Sequence, residues 1–238
     1  MQTEILGIPI EIQKKNIKNI HLSVLPPDGR VRVSAPKTVS DKSLELFIRT
    51  RMEWIKQQQL KFENQPRQSE RQYVSGETLY FWGQKYYLQV EYSYKGNSLA
   101  LEGDRATLTV RKESTAKQRE NYVNEWYREH LKREIEKILP IWEEKTGLKS
   151  SSWQTKYMTT RWGTCNTDTK KIWINLQLAK KPVECLEYVI LHELVHTKIR
   201  NHGKDFVRIM DLYMPNWKEI RKTLNDSTMD YLPINNYD

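Results

Sequence analysis

The stretch HELVHTKIRNH, His192 to His202, constrains this chain more than any other. Five histidines occur in 238 residues, and three of them fall in these eleven. Val183, Leu186, Val189, Ile190 and Leu194 precede and enter it at helical spacing, which predicts a half-buried helix over residues 182–198. On such a helix His192 and His196, four apart, leave one face a turn apart, and the gap between their imidazoles closes around a single ion. Glu193 points aside from that ion but reaches a water held on it. His202 cannot join them if the helix continues, because it would lie ~15 Å further along the axis and on another face. The helix therefore has to end first. Asn201 and Gly203, which tolerate the left-handed backbone that ends helices, supply the expected stop.

Three neutral imidazoles and one water make a tetrahedral Zn²⁺ site with an open position. Zinc lowers the pKa of such a water to about 7, so Glu193 can take its proton and pass it to a leaving group. The expected chemistry is metal-assisted hydrolysis. The competing reading is an amphipathic helix whose histidines merely face solvent, and the third histidine argues against it. Glu219, on a later helix, is a rival third ligand. Cys165 is a soft donor that three histidines make superfluous, so it reads as a packed thiol. Cys185, two turns before His192, is expected to be buried.

The remaining pattern is α+β, with a strand-rich N-terminal half and a helical C-terminal half carrying the HExxH helix. Residues 3–12, 18–25 and 30–35 alternate as strands, PPDGR (26–30) reads as a turn, and Ser40 caps a helix running to about 63. NQPRQSERQ (64–72) is a polar connection. Two hairpins follow, turning at Gly83-Gln84 and near Gly103-Asp104. From Ser114 a long helix presents Tyr122, Val123, Trp126, Tyr127, Leu131, Ile135, Ile138 and Trp142, with Pro140 expected to kink or shorten it and Gly147 to stop it. Residues 153–159 and 171–175 suggest a strand pair around TTRWGTC, and short helices are expected at 203–213 and 215–225. The change of pattern sets a boundary near residue 113, giving a strand-rich region with one helix over 1–113 and a catalytic region over 114–238. No internal repeat stands out.

Two cysteines are too few for a disulfide framework and fit reduced thiols in the cytoplasm. MQTEILGIPIEIQ lacks the basic and apolar regions of a signal peptide, and no apolar run is long enough for a membrane span. The net charge of +9 gives a weak attraction for anions, nucleic acid included, although the basic residues are interspersed with acidic ones and the bland reading is a solvated surface.

The loop TTRWGTC (159–165) is expected beside the metal. Arg161 can hold an oxyanion or clamp a phosphate, and it can equally be a surface ion-pair partner. Trp162 can stack on a base, floor a pocket or sit in the core, while Gly163 lets the backbone come close. Asp205 can orient a ligand imidazole or simply favour a helix N-terminus. His21 and His130 read as structural, and Met210 and Met214 as core.

Taken together, KNIKNIHLSVLPPDGRVRVSAPKTVS, SGETLYFWGQKYYLQV, TTRWGTC and YVILHELVHTKIRNHGKDF resemble the YgjP-like metal-dependent hydrolases, a group related to the SprT-like and Wss1-like zincin metallopeptidases. The resemblance spans nearly the whole chain. It implies a zincin-like catalytic region with metal ligands His192, His196 and His202, catalytic Glu193, and a functional rather than structural Arg161. Ile199 stands where metzincins carry glycine, which separates this chain from that group. The resemblance leaves the substrate open between a peptide and a nucleotide, since one such protein has been assigned a UTP pyrophosphatase activity. A third reading is a basic nucleic-acid-binding module with structural zinc. It is the weakest, because a structural zinc takes four protein ligands and has no use for Glu193.

Overall fold

A computed structural model describes residues 2–25, 29–63 and 71–225. The expected turn at 26–30 and the connection at 64–72 fall largely outside these residues. The chain divides into two compact units, Met1–Ser69 and Glu70–Asp238.

In the first unit, β1 (Gln2–Ile5), β2 (Ile8–Lys15), β3 (His21–Leu25) and β4 (Arg30–Pro36) form a sheet in the order β1-β2-β4-β3, followed by α1 (Asp41–Arg49) and α2 (Met52–Glu63). The single strand expected over 3–12 is two strands, broken by a tight turn in which both Leu6 (φ 51°) and Gly7 (φ 79°) are left-handed. Ser40 caps α1 as expected, its side chain accepting from the Ser43 amide. The expected long helix is interrupted at Thr50-Arg51. Ile10, Val31, Val33, Leu44, Ile48 and Ile55 close this unit's core.

The second unit opens with β5 (Thr78–Phe81), β6 (Gln84–Tyr92), β7 (Ser98–Glu102) and β8 (Arg105–Val110), in the order β5-β6-β8-β7. These strands share one core with α3 (Ala116–Thr146) and the residues beyond it. Leu79, Leu88 and Leu108 pack in the same cluster as Val123, Leu131 and Ile190. The change of sequence pattern near residue 113 therefore lies inside a unit: amphipathic strands and an amphipathic helix differ in period but bury their apolar sides together. A capping box between Thr115 and Gln118 starts α3, and Gly147, at φ 67°, ends it. Pro140 neither ends nor shortens the helix, which runs through it. The buried face formed by Leu131, Ile135, Ile138, Leu139 and Trp142 continues across the proline, and at about 1.5–3 kcal/mol per buried large side chain it offsets one missing hydrogen bond.

The two units begin with the same module. In each, an antiparallel hairpin turns on two left-handed residues, Leu6-Gly7 and then Trp82-Gly83. Its second strand pairs in parallel with the last strand of the module, which pairs antiparallel with the third. Arg30 starts β4 ten residues before the cap Ser40, and Arg105 starts β8 ten residues before the cap Thr115. Inward-facing Val31, Val33 and Ala35 correspond to Ala106, Leu108 and Val110. The sequence expectation of no repeat thus gives way to a repeated strand–helix module, preserved as pattern rather than as residue identity.

Beyond α3 lie β9 (Ser152–Lys156), β10 (Gly163–Asn166) and β11 (Lys171–Asn175), a 3-10 turn over Leu176–Lys180, then α4 (Val183–His196), α5 (Lys204–Tyr213) and α6 (Trp217–Leu224). β9 and β11 do pair, but in parallel. The last three residues of TTRWGTC, Gly163–Cys165, are themselves strand: β10 pairs antiparallel with β11 and forms the sheet edge. The start of α4 is pinned by the β5–β6 turn. The amides of Trp82 and Gly83 donate to the carbonyls of Ala179 and Lys180 at 2.9 and 3.2 Å. A Cβ on Gly83 would sit 2.8 Å from Pro182 Cγ, so glycine is required there for space as well as for its φ of 81°.

Lys180, at the end of the 3-10 turn, has its ammonium 5.7 Å from the Tyr127 ring. Burial, helped by the charge of Arg71 and opposed by Glu120, pulls its pKa down to about 7. The unfolded chain binds this proton up to about pH 10.4, so between about pH 7 and 10 the unfolded state holds more protons and stability rises with pH. Lys180→Met is accordingly expected to stabilise the fold at pH 6–7 by about 1–2 kcal/mol, the side chain being partly exposed, or roughly 3–6 °C in Tm. Thermal melts across pH should show the gain shrinking towards pH 10.

Candidate metal centre

α4 is buried on all sides over its second half. Every residue from Tyr188 to Val195 is in the core, where a half-buried helix was expected. Its neighbours are α3, α5, α6, β10 and β11. This packing holds His192 and Glu193 at 2% and 1% exposure, while His196 is half-buried. The helix ends at Thr197 in ordinary right-handed geometry, and the Thr197 hydroxyl donates to the Leu194 carbonyl at 2.6 Å. The expected left-handed stop is not used. Asn201 has no positive φ, and Gly203, at φ −74°, is the N-cap of α5. The chain reverses through 197–203 with its backbone in ordinary regions, and this turn brings His202 back.

The three Nε2 atoms form a nearly equilateral triangle: His192–His196 3.1 Å, His196–His202 3.0 Å and His192–His202 3.0 Å. Ligands about 2.0–2.1 Å from a tetrahedral ion stand about 3.3–3.4 Å apart, so the triangle fits one such ion after a movement of a few tenths of an ångström. The donor chemistry agrees. His196 Nδ1 lies 2.9 Å from the Ile199 carbonyl, which can only accept, so the proton sits on Nδ1 and the Nε2 lone pair faces the other two rings. Ile199, the residue that departs from the metzincin pattern, thus orients a histidine through its main chain. Burial holds the pKa of His192 well below the usual histidine range, with the neighbouring imidazoles adding to the effect. Burial also lowers that of His196, against the raising effect of its hydrogen bond to the Ile199 carbonyl. Neutral imidazoles are the form a metal binds.

Phe206 of α5, 2% exposed, lies against all three rings, with centroids 4.6 to 5.1 Å away. It fixes ring orientation through packing. Sequence reading missed it, the only available signal being its position four residues after His202.

The triad opens into a cleft of about 280 Å³, walled by Glu193, Arg161, Arg200 and the Gly163–Cys165 edge of β10. Arg161 is exposed on this wall, and its main chain is tied down. Asn175, fully buried, donates from Nδ2 to the carbonyls of Met158 (2.9 Å) and Arg161 (2.7 Å), and its Oδ1 accepts from the amides of Met158 and Gln177. In the sequence Asn175 was legible only as the end of a strand. The loop it ties down lies 14 to 17 residues earlier in the chain.

The other expectations resolve individually. Trp162 is completely buried and donates to Asn225 Oδ1 at 3.2 Å, so it is core and cannot stack on a ligand. Cys165 is half-buried on the cleft wall, with its thiol pKa pushed up to about 11 by burial and then by Glu193. Among the described residues, neither Cys165 nor Glu219 belongs to the cluster able to hold a metal, which consists of the three histidines. Asp205 is exposed in the first turn of α5, 3.7 Å from Arg208. Its place favours the helix-dipole reading over a tie to a ligand ring. Cys185, Met210 and Met214 are buried, His21 is exposed in β3, and His130 packs among Trp126 and Phe81. No helix among the described residues is long and apolar enough to cross a membrane.

A family model described as YgjP-like, metallopeptidase domain, matches residues 18–227. Among solved structures, the metallopeptidase zymogen jannalysin of Methanocaldococcus jannaschii is 27% identical, covers 38% of this chain and 92% of its own, and superposes with a TM-score of 0.35. No curated protein gives a significant match.

Proposed function

The chain belongs to the YgjP-like metallopeptidase-domain family, and on that premise we infer that it is a zinc-dependent peptidase whose metal is held by His192, His196 and His202. The observation that carries this reading is the convergence of three Nε2 atoms within 3.1 Å of one another, beside a buried carboxylate and an open cleft. His196 turns its Nε2 lone pair to the other two rings, and a cation at the centre of the triangle would take a lone pair from each of the three. A bound zinc supplies Lewis acidity, polarising an amide carbonyl and acidifying water at its open position.

The chain's own groups do the rest. Glu193 is the general base, taking a proton from the attacking water and delivering it to the amine that leaves. Its carboxylate is 1% exposed and lines the cleft beside the three imidazoles. Among the described residues β10 is an edge strand that lines the cleft, and it can pair with an extended peptide, whose own amides and carbonyls then set its register. Arg161, on the same wall, meets the negative charge that the substrate brings or develops. The two free thiols fit a reducing compartment such as the cytoplasm.

The open cleft and the adjacent base count against a structural zinc in a nucleic-acid-binding module. Zinc-loaded protein is expected to cut unstructured peptides, to lose that activity to a chelator and to regain it with zinc. Hydrolysis of nucleoside triphosphates with every peptide left intact would overturn the peptidase reading in favour of the pyrophosphatase one.

A further inference from the structure

We propose that the cleft selects peptides bearing a carboxylate beside the bond to be cut, and that Arg161 grips that carboxylate in the bound ground state; this rests on the peptidase reading above.

The first support is the charge of the walls. Two guanidiniums, Arg161 and Arg200, face a single carboxylate, Glu193, which is committed as base. The second is that the two arginines are not equivalent. Arg200 Nε donates to Thr167 Oγ1 at 3.0 Å and its Nη2 to Asp168 Oδ1 at 2.6 Å, so its charge is already matched by an acid. Arg161 has no such acid among the described residues, although its main chain is clamped by Asn175 and its neighbour Trp162 is locked in the core. A fixed root carrying an uncommitted fork is the arrangement that binds a planar anion by two parallel hydrogen bonds.

The third support is what the cleft lacks. Among the described residues its walls are arginine, histidine, threonine, glycine, cysteine and glutamate, with no large aliphatic or aromatic side chain. These described walls offer a leucine or phenylalanine no apolar contact, so selection there falls to charge.

Exposure decides between the two uses of Arg161. A cation stabilises a transient oxyanion strongly only where water is excluded. Arg161 is exposed, so its field is screened, whereas a two-pronged grip on a substrate carboxylate works at such a rim. The carboxylate has two sources, an Asp or Glu side chain or the free C-terminus of the peptide.

The test uses the zinc-loaded protein and four peptides of one sequence, with Glu or Gln next to the scissile bond and a free or amidated C-terminus. The expected result is a KM about tenfold lower for the carboxylate-bearing member of at least one pair, at similar kcat, with that ratio collapsing towards one in Arg161→Gln and returning in part in Arg161→Lys. Whichever pair shows the effect identifies the source. Equal KM values across both pairs overturn the proposal and leave the peptidase reading intact. So does a fall in kcat on all four peptides in Arg161→Gln with the KM ratio retained, which assigns Arg161 to the oxyanion. If none of the four is cleaved, the peptidase reading fails, and fluorescence anisotropy of the same peptides on Glu193→Gln protein decides the proposal separately. About tenfold tighter binding of the acidic peptide upholds it, and equal binding overturns it.

Discussion

Glu193→Gln is expected to hold metal as well as the parent and to turn over substrate about 10²–10⁴-fold more slowly, the usual contribution of a positioned general base. The amide preserves the volume of the carboxylate at a site only 1% exposed, so the change opens no cavity in α4. It removes a proton acceptor and leaves the three ligand rings where Phe206 and Ile199 hold them. The loss should therefore appear in kcat, with little change in KM or in bound zinc. The decisive comparison is kcat alongside metal content in one preparation. A variant that holds zinc and works as fast as the parent removes Glu193 from the mechanism. A variant that is inactive because it holds no zinc shows that the carboxylate serves the metal site rather than proton transfer.

The second large effect concerns the ligands. His196 stands at the centre of the geometry: its Nε2 is 3.1 Å from that of His192 and 3.0 Å from that of His202, and its Nδ1 is tied to Ile199. His196→Ala removes one of three protein donors and is expected to weaken zinc binding on the order of 10³-fold. Stability gives a readout independent of activity. A ligand that binds only the folded state at about 100 times its Kd stabilises by about 2.7 kcal/mol, which for a chain of this size is roughly 5–10 °C in Tm. Zinc should raise the Tm of the parent by that much and leave the melt of His196→Ala nearly unmoved at the same concentration. Equal zinc-induced shifts in the two proteins mean that the stabilising metal sits elsewhere.

The part of this site that sequence made legible is the part that is local. His192, Glu193 and His196 share one helix, so their spacing is their geometry. His202 needed only the requirement that the helix end, although the chain meets it with a right-handed Thr197 rather than the left-handed stop that Asn201 and Gly203 suggested. Phe206 and Asn175 were not legible as site residues, because what they do depends on the rings and the loop they reach through tertiary packing. Trp162 shows the limit from the other side. A tryptophan next to glycine reads equally as platform or core, and only its complete burial and its bond to Asn225 decide.

The fold divides in the same way. The helix signals at Ser40 and Gly147 were readable because capping is chemistry within a few residues, whereas the capping box at Thr115 emerges from the structure. The break at Leu6-Gly7 was hidden inside an apolar run, and Pro140 looked like a kink or an early end because local propensity cannot see the tertiary face that carries α3 past it. The repeated module escaped notice because what recurs is strand order, turn geometry and buried pattern. Few identical residues mark it beyond Arg30 and Arg105, or Lys37 and Lys112.

One measurement bears most directly on the centre of this account: elemental analysis of the purified chain, saturated with zinc and then desalted, beside the His192→Ala, His196→Ala, His202→Ala triple variant. The geometry predicts about one zinc retained per parent chain and almost none in the variant. A parent that retains no metal, or a variant that retains as much as the parent, contradicts the assignment of these three histidines as a metal centre and removes the basis of the hydrolytic chemistry with it.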